Sequence, residues 1–202
     1  PGVCLGVALG ELSRRGRDKV TFLTPPSIAP LGMWLEQLLA ESTGKEGKGV
    51  LPVDGEPLGP PSAYGDDRVF VHLSRAGEPD PLPAASLAAL EAAGQPLIHI
   101  QLGDLLDLGQ EFFRWEVATA AAGAVLGINP FDQPNVQESK ENTDRLLRTV
   151  REHGRLPSEA PPLCEGPLRL YTPDKGESFT ETLALFLGQA MPRDYLCLQA
   201  YW

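Results

Sequence analysis

The spacing of apolar positions changes along the chain and predicts its helices and strands. Apolar residues recur every three or four positions over 30–43, which is typical of an amphipathic helix. Small and apolar segments favour further helices at 2–15, 84–93, 112–126 and 178–190. Short apolar runs bounded by Gly, Pro and charged residues predict strands at 19–23, 49–53, 68–73, 96–102, 168–171 and 194–201.

Strands alternate with helices through most of this pattern. Such alternation indicates parallel strands joined by crossover helices, in an α/β fold. The strands are short and mostly apolar, as expected for a sheet that is buried on both faces. The sequence therefore predicts a three-layer αβα sandwich with a mainly parallel sheet of about five strands, in a single domain over 1–202.

One polar loop separates two different helices near the middle of the chain. The segment before it is nearly all apolar, and the segment 141–153 after it is charged. Pro130 and Pro134 forbid one continuous helix. Asn135, followed three residues later by Glu138, has the pattern of a helix N-cap with a capping box.

The loop offers oxygen and amide groups, and the second helix adds one ammonium group. Asn129, Asp132 and Gln133 lie in the loop, and Lys140 falls in the second turn of the helix. Proteins hold polar ligands with a few such groups on an apolar scaffold. The structural alternative is a corner whose polar side chains only satisfy the backbone of the loop itself.

The amino-acid sequence of this loop and its flanking residues resembles the C-terminal signature of glucose-6-phosphate isomerases. In that signature, a small residue and two apolar residues precede an aromatic–Asp–Gln triplet, and a lysine closes the segment. Asn135 departs from the signature, which usually has Gly or Ala there. The matching residues are Gly123, Val125, Leu126, Phe131, Asp132, Gln133, Val136, Gln137 and Lys140.

A second stretch, Glu41-Ser-Thr-Gly-Lys45, is similar to a segment of the same family. It is not a phosphate-binding P-loop, because it lacks the GxxxxGK[ST] spacing and follows a helix. From the residues alone, it is a helix end closed by Gly44, where Lys45 and Lys48 are electrostatically favourable. The resemblance covers nearly the whole chain and is closest to the isomerase half of bacterial transaldolase/glucose-6-phosphate isomerase fusions.

Glu56 lies in a Gly-Glu-Pro turn just after the predicted strand 49–53. Ligands of open parallel sheets bind beyond the carboxyl ends of the strands, so a carboxylate there is well placed to act as a base. From the residues alone, a Glu before Pro is more simply a turn residue. The resemblance implies that Glu56 moves a proton between C1 and C2 of the open sugar.

The resemblance also implies the rest of the site. The chain would be the second sugar-isomerase (SIS-type) domain of an isomerase that interconverts glucose 6-phosphate and fructose 6-phosphate through a cis-enediol, without a cofactor. Lys140 would open the ring and stabilise charge, and Gln133 would contact the substrate. The first SIS domain of the same parent chain would hold the phosphate. The alternative is a non-catalytic SIS module that binds sugar phosphates.

Composition narrows the choice of partners. The 202 residues carry a net charge of −10, which argues against nucleic acid and anionic membranes. No apolar run approaches the roughly 20 residues of a membrane-spanning helix. Three scattered cysteines fit neither a disulfide framework nor a zinc site, so we expect no metal and a cytoplasmic location.

His72 and His99 fall inside predicted strands and are interpreted as structural. The chain has no starting Met, and we expect it to be part of a longer polypeptide that can self-associate.

Overall fold

The computed structural model describes residues 1–157, 160–161, 163–174, 176–192 and 194–200. The chain divides into two compact units, Pro1–Gln137 and Glu138–Trp202, and each is described by itself. The single domain expected over 1–202 stays a prediction. Within the described ranges, no helix is long and apolar enough to cross a membrane.

Four parallel strands form the sheet of the first unit, in the spatial order β2-β1-β3-β4. The predicted strands and helices of this unit are confirmed to within a few residues at each end. The strands are β1 (Lys19–Leu23), β2 (Leu51–Val53), β3 (Arg68–Arg75) and β4 (Leu97–Leu102). The helices are α1 (Gly2–Arg14), α2 (Ala29–Thr43), α3 (Ala84–Ala92) and α4 (Leu108–Leu126).

Both faces of this sheet are covered, because side chains alternate between the faces along each strand. Val69 and Val71 of β3 pack in the core cluster that α1, α2 and α4 help to build. Phe70 points to the opposite face and packs in a smaller cluster with Leu87 and Leu90 of α3. This arrangement of helix, sheet and helix confirms the predicted αβα sandwich, with four strands in place of about five.

Three glycines spaced four residues apart bring α1 close to α4. Residues four apart lie on the same face of a helix. A Cβ atom on Gly6 would lie 2.1 Å from the carbonyl oxygen of Ala118, and one on Gly10 would lie 2.8 Å from Val125. A Cβ on Gly2 would also collide with α4, at 2.8 Å from the Arg114 oxygen. The two helices can therefore pack at this distance only with glycine at these positions.

A long helix, α5 (Pro134–His153), begins in the first unit and continues into the second. The second unit also contains β5 (Leu163–Glu165), β6 (Leu168–Leu170) and α6 (Phe179–Leu187). The predicted strand 168–171 is therefore β6, but it pairs antiparallel with β5 in a separate two-stranded sheet. Only Gly166 and Pro167 join the two strands, and a connection that short permits antiparallel pairing alone.

The strand predicted over 194–201 is wrong. Its described part, 194–200, forms no strand, and residue 201 lies outside the described residues. Tyr195, Leu196 and Leu198 are all exposed, so the apolar residues that suggested a strand have no surface to pack on.

Candidate active site

The Gly-Glu-Pro turn follows the carboxyl end of β2, as predicted. Gly55 has a φ of 68°, a left-handed conformation that favours glycine. The turn leads into the loop 57–67, which returns the chain to the start of β3. Glu56 keeps 31% of its side chain exposed, so its carboxylate remains within reach of a ligand.

Arg68 holds the Glu56 carboxylate in a two-point ion pair. Its two terminal nitrogens lie 2.7 Å from Oε2 and 3.3 Å from Oε1 of Glu56. The same guanidinium donates to the Thr21 hydroxyl at 2.6 Å. Arg68 is the first residue of β3 and pairs with Lys19 in the sheet. Paired bonds of this kind fix the plane of a carboxylate as well as its position.

Tyr64 stabilises the arginine from the loop side. The guanidinium carbon of Arg68 lies 5.4 Å from the centroid of the Tyr64 ring, within the range of a cation–π contact. The ring packs edge-on against Phe70 at 4.9 Å, and its hydroxyl accepts the Gly59 N–H at 2.7 Å. Glu56 is thus oriented by a side chain that is itself held in place. The sequence carried no signal for Arg68, because an arginine at the start of a strand is ordinary.

The loop with the aromatic–Asp–Gln triplet begins where α4 ends. Gly127 adopts the left-handed conformation that often terminates helices, and the Ile128 N–H donates to the Gly123 carbonyl at 3.0 Å. Gly123 allows Pro130 to approach, since a Cβ there would lie 2.8 Å from the proline ring. These contacts fix the path of the chain up to Pro130.

Lys45 fixes the remainder of the loop. Only 5% of its side chain is exposed, and its ammonium group donates to the Asn129 carbonyl at 2.7 Å and to Asp132 Oδ1 at 2.7 Å. It also donates to the backbone carbonyl of Asp132. The predicted helix end is confirmed, since α2 ends at Thr43 with Gly44 as its C-cap. The Lys45 ammonium group also binds a loop 84 residues away, which the sequence did not indicate. Lys48 has 45% of its side chain exposed, as expected for a surface lysine.

The structure places the other two candidate residues on or before α5. Gln133 is exposed, and its carbonyl accepts the Gln137 N–H at 3.1 Å. The helix begins at Pro134, so Asn135 lies inside the first turn and is not the predicted N-cap; proline suits the first helical position. Lys140 is exposed and belongs to the second unit. The grouping of Glu56, Gln133 and Lys140 into one site stays a prediction.

Polar side chains meet at the switch point of the sheet, which lies between the carboxyl ends of β1 and β3. Ligands often bind at this place in α/β sheets. Glu78 accepts from the Ser27 hydroxyl at 2.5 Å and from Arg75 Nε at 2.8 Å, and these bonds lower the pKa of Glu78. The cavity beside Arg75 and Glu78 measures about 10 Å³. Such a space holds about one water molecule and no sugar.

A pair of histidines lies on β3 and β4. His72 Nδ1 is 3.2 Å from His99 Nδ1, and His72 Nε2 is 2.8 Å from Asp80 Oδ2. Burial is the largest effect and lowers the pKa of His72; the Asp80 carboxylate opposes it, and the nearby His99 lowers the pKa further. With one nitrogen facing a carboxylate and the other a histidine, His72 is a satisfied internal residue, in keeping with its interpretation as structural.

Comparisons with known proteins bear on the family. No family model matches the chain. It is 32% identical to a glucose-6-phosphate isomerase of Rubrobacter xylanophilus, over 69% of this chain and 41% of that protein. It is 31% identical to one of Heliobacterium modesticaldum, over 67% and 39%, and 30% identical to one of Symbiobacterium thermophilum, over 69% and 39%.

The chain thus spans about two fifths of the length of the curated relatives it matches. The resemblance to glucose-6-phosphate isomerases is confirmed by these similarities, whereas the closer link to transaldolase fusions stays a prediction. Among solved structures, a hypothetical protein from Thermus thermophilus aligns with a TM-score of 0.52 and 21% identity, over 70% of this chain and 44% of that one. This likeness supports the α/β fold.

Proposed function

We propose that this chain is the C-terminal part of a glucose-6-phosphate isomerase and contributes catalytic residues to that enzyme. The observation that carries the proposal is the oriented, partly exposed Glu56 carboxylate, in a chain whose curated relatives bear that name. Aldose–ketose isomerisation needs a group that removes a proton from one carbon and returns it to the adjacent carbon. A positioned carboxylate can do both.

In the proposed reaction, Glu56 removes the C2 proton of the open form of glucose 6-phosphate. The electrons of that C–H bond form the C1–C2 double bond of a cis-enediol, while the π electrons of the C1 carbonyl move to its oxygen, which takes up a proton. Return of the proton from Glu56 to C1, with loss of the C2 hydroxyl proton to form the C2 carbonyl, gives fructose 6-phosphate. Hydrogen stays within the substrate and its base, so the reaction needs no redox cofactor. Oε1 of Glu56 is the more weakly held oxygen, 3.3 Å from Arg68, and is the one we assign to the proton.

Lys140 and Gln133 complete the proposed site. An ammonium group can donate a proton to the ring oxygen during opening and then stabilise the negative charge of the enediol. A glutamine amide can hydrogen-bond sugar hydroxyls. We assign the phosphate to the first SIS domain of the parent chain, as the resemblance to glucose-6-phosphate isomerases implies. No nucleic acid or membrane has a role in this proposal.

One observation favours the alternative of a non-catalytic sugar-phosphate-binding module. The two-point ion pair with Arg68 is also what a purely structural glutamate would make. Turnover and binding separate the two functions. The full-length parent should convert fructose 6-phosphate in an assay that couples product formation to a dehydrogenase. If calorimetry shows binding of the sugar phosphate but no product forms, the binding module is correct.

A further inference from the structure

Lys45 is the most completely satisfied buried cation among the described residues of the first unit. An ammonium group has three N–H donors and accepts nothing. Its three acceptors here are the carbonyls of Asn129 and Asp132 and the Asp132 carboxylate. All three belong to one turn of chain, so a single side chain clamps four consecutive residues.

The clamp acts at the start of the candidate site. The carbonyl of Asp132 is part of the peptide bond that joins it to Gln133, so its position fixes the backbone nitrogen of Gln133. The next hydrogen bond along the chain runs from the Gln137 N–H to the Gln133 carbonyl. This bond closes the first turn of α5. Any shift at Asp132 therefore moves Gln133 and the beginning of the helix that carries Lys140.

The burial of Lys45 distinguishes this contact from an exposed surface ion pair. Exposed pairs contribute about 0–1 kcal/mol, because water screens them and both side chains are mobile. Lys45 is 5% exposed, whereas Asp132 keeps 52% of its side chain in solvent. The ammonium group therefore cannot turn to solvent, and loss of the aspartate charge would leave it buried with neutral acceptors only.

We propose that Lys45 is a positioning residue for the isomerase reaction: it holds the 129–133 loop so that Gln133 and the first turn of α5 stand in their working geometry. This inference rests on the proposed function. It assigns Lys45 no contact with the substrate, and its effect on turnover passes through Gln133.

The anchoring can be tested without enzymatic activity, by amide hydrogen exchange in the 202-residue chain. Lys45→Met keeps roughly the length of the side chain and removes its N–H donors. Asp132→Asn keeps a side-chain carbonyl oxygen and removes the negative charge. Both variants should speed exchange of the Gln137 amide by at least about tenfold, since its acceptor is no longer fixed. The neighbouring exposed Lys48→Met is the matched control and should leave that amide unchanged.

The kinetic consequence is measured in the full-length parent. If misplacement of Gln133 is the cause, Lys45→Met should lower kcat about 10²-fold, a loss typical of small displacements in an active site. Asp132→Asn should give a smaller loss in the same direction. In the double variant the two losses should not add, because both act on one contact. Lys48→Met should keep the parental kcat.

The possible failures differ from one another. Parental exchange at Gln137 in a folded Lys45→Met chain would overturn the clamp. Faster exchange with parental kcat would overturn the positioning role. A full-length parent that binds sugar phosphate but does not turn it over would overturn the proposed function, and the positioning role with it, while the exchange experiment would still decide whether Lys45 anchors the loop.

Discussion

Glu56 shows how a carboxylate can be rigid and still reactive. Arg68 fixes it through two nitrogens, and Thr21 and Tyr64 in turn fix Arg68. Reactive groups placed in this way need little rearrangement when the substrate arrives. The two hydrogen bonds are unequal: Arg68 lies 2.7 Å from Oε2 of Glu56 and 3.3 Å from Oε1. The more weakly held Oε1 is therefore more available for a proton.

Glu56→Gln in the full-length parent tests the base directly. The variant keeps the size of the side chain and can still accept a hydrogen bond from Arg68, but it cannot take a proton from carbon. We expect turnover to fall at least about 10²-fold, the lower range for general acid–base catalysis, with sugar-phosphate binding largely retained. The measurement is deuterium incorporation at C2 in heavy water. Exchange at the parental rate would mean that Glu56 is a turn residue.

The buried histidine gives a prediction about stability and pH. The pKa of His72 lies below its ordinary 6.5 in the folded chain, so the unfolded chain binds more protons at mildly acidic pH. Stability from this group is therefore complete above about pH 6.5 and is lost as pH falls. His72→Gln should flatten the rise of the unfolding free energy between about pH 5 and 7, measured by urea denaturation. Equal slopes in the parent and in His72→Gln would contradict the assignment.

At the scale of elements, α1 packs closely on α4. This packing depends on glycines at positions where a Cβ atom would collide with the backbone of α4. Backbone atoms cannot move aside as the end of a flexible side chain can. Tight cores resist added volume, and an extra methyl group at such a contact typically costs about 1–3 kcal/mol.

Gly6→Ala and Gly109→Ala form a matched pair that tests this packing. Alanine favours a helix over glycine by up to about 1 kcal/mol, so a free position should gain stability. Nothing lies within 4 Å of a Cβ on Gly109, whereas one on Gly6 meets the Ala118 oxygen at 2.1 Å. We expect Gly6→Ala to lower the unfolding free energy by at least about 1–3 kcal/mol and Gly109→Ala to leave it unchanged or raised. Similar melting temperatures for the two variants would show that the helices are less closely packed.

Lys140 belongs to α5 and is tested there. It is exposed, so Lys140→Ala should change the unfolding free energy by no more than about 0.5 kcal/mol. Turnover of the ring form of the sugar in the full-length parent should nevertheless fall strongly, because no other group is assigned to ring opening. Lys48→Ala, another exposed lysine, should affect neither quantity. Unchanged turnover in Lys140→Ala would make this residue part of a charged helix surface.

Local patterns predicted elements well, and long-range contacts explain most of what they missed. The strands β1 to β4 could be read from short apolar runs, because burial on both faces leaves that mark in the sequence. In the β5–β6 hairpin, β6 was predicted as the strand 168–171, whereas β5 was missed because its three residues carry almost no pattern. The contacts of Lys45 and Arg68 could not be predicted, because their partners lie 84 and 12 residues away in the sequence.

At the scale of the whole molecule, the curated relatives are more than twice as long as the matched part of this chain. The first unit also exposes apolar surface. Val3 and Phe113 are 57% and 69% exposed beside a groove of about 390 Å³, which Val117 also lines. Contiguous apolar surface of this kind is usually covered by another protein surface. In the proposed full-length enzyme, we expect the remaining part of the chain to cover this groove.

The last prediction concerns the 202-residue chain by itself. The sheet of the first unit is covered on both faces, so the chain should fold and show a helix-rich circular dichroism spectrum. We expect little or no isomerase activity, because the proposed phosphate-binding domain is absent and the Glu56 base alone cannot hold the sugar. The apolar groove should then favour self-association, which light scattering across a concentration series would detect. Turnover of roughly 1–10³ per second, the range typical of enzymes, would show that the site is complete within this chain. A chain that stays monomeric at high concentration would show that the groove needs no partner.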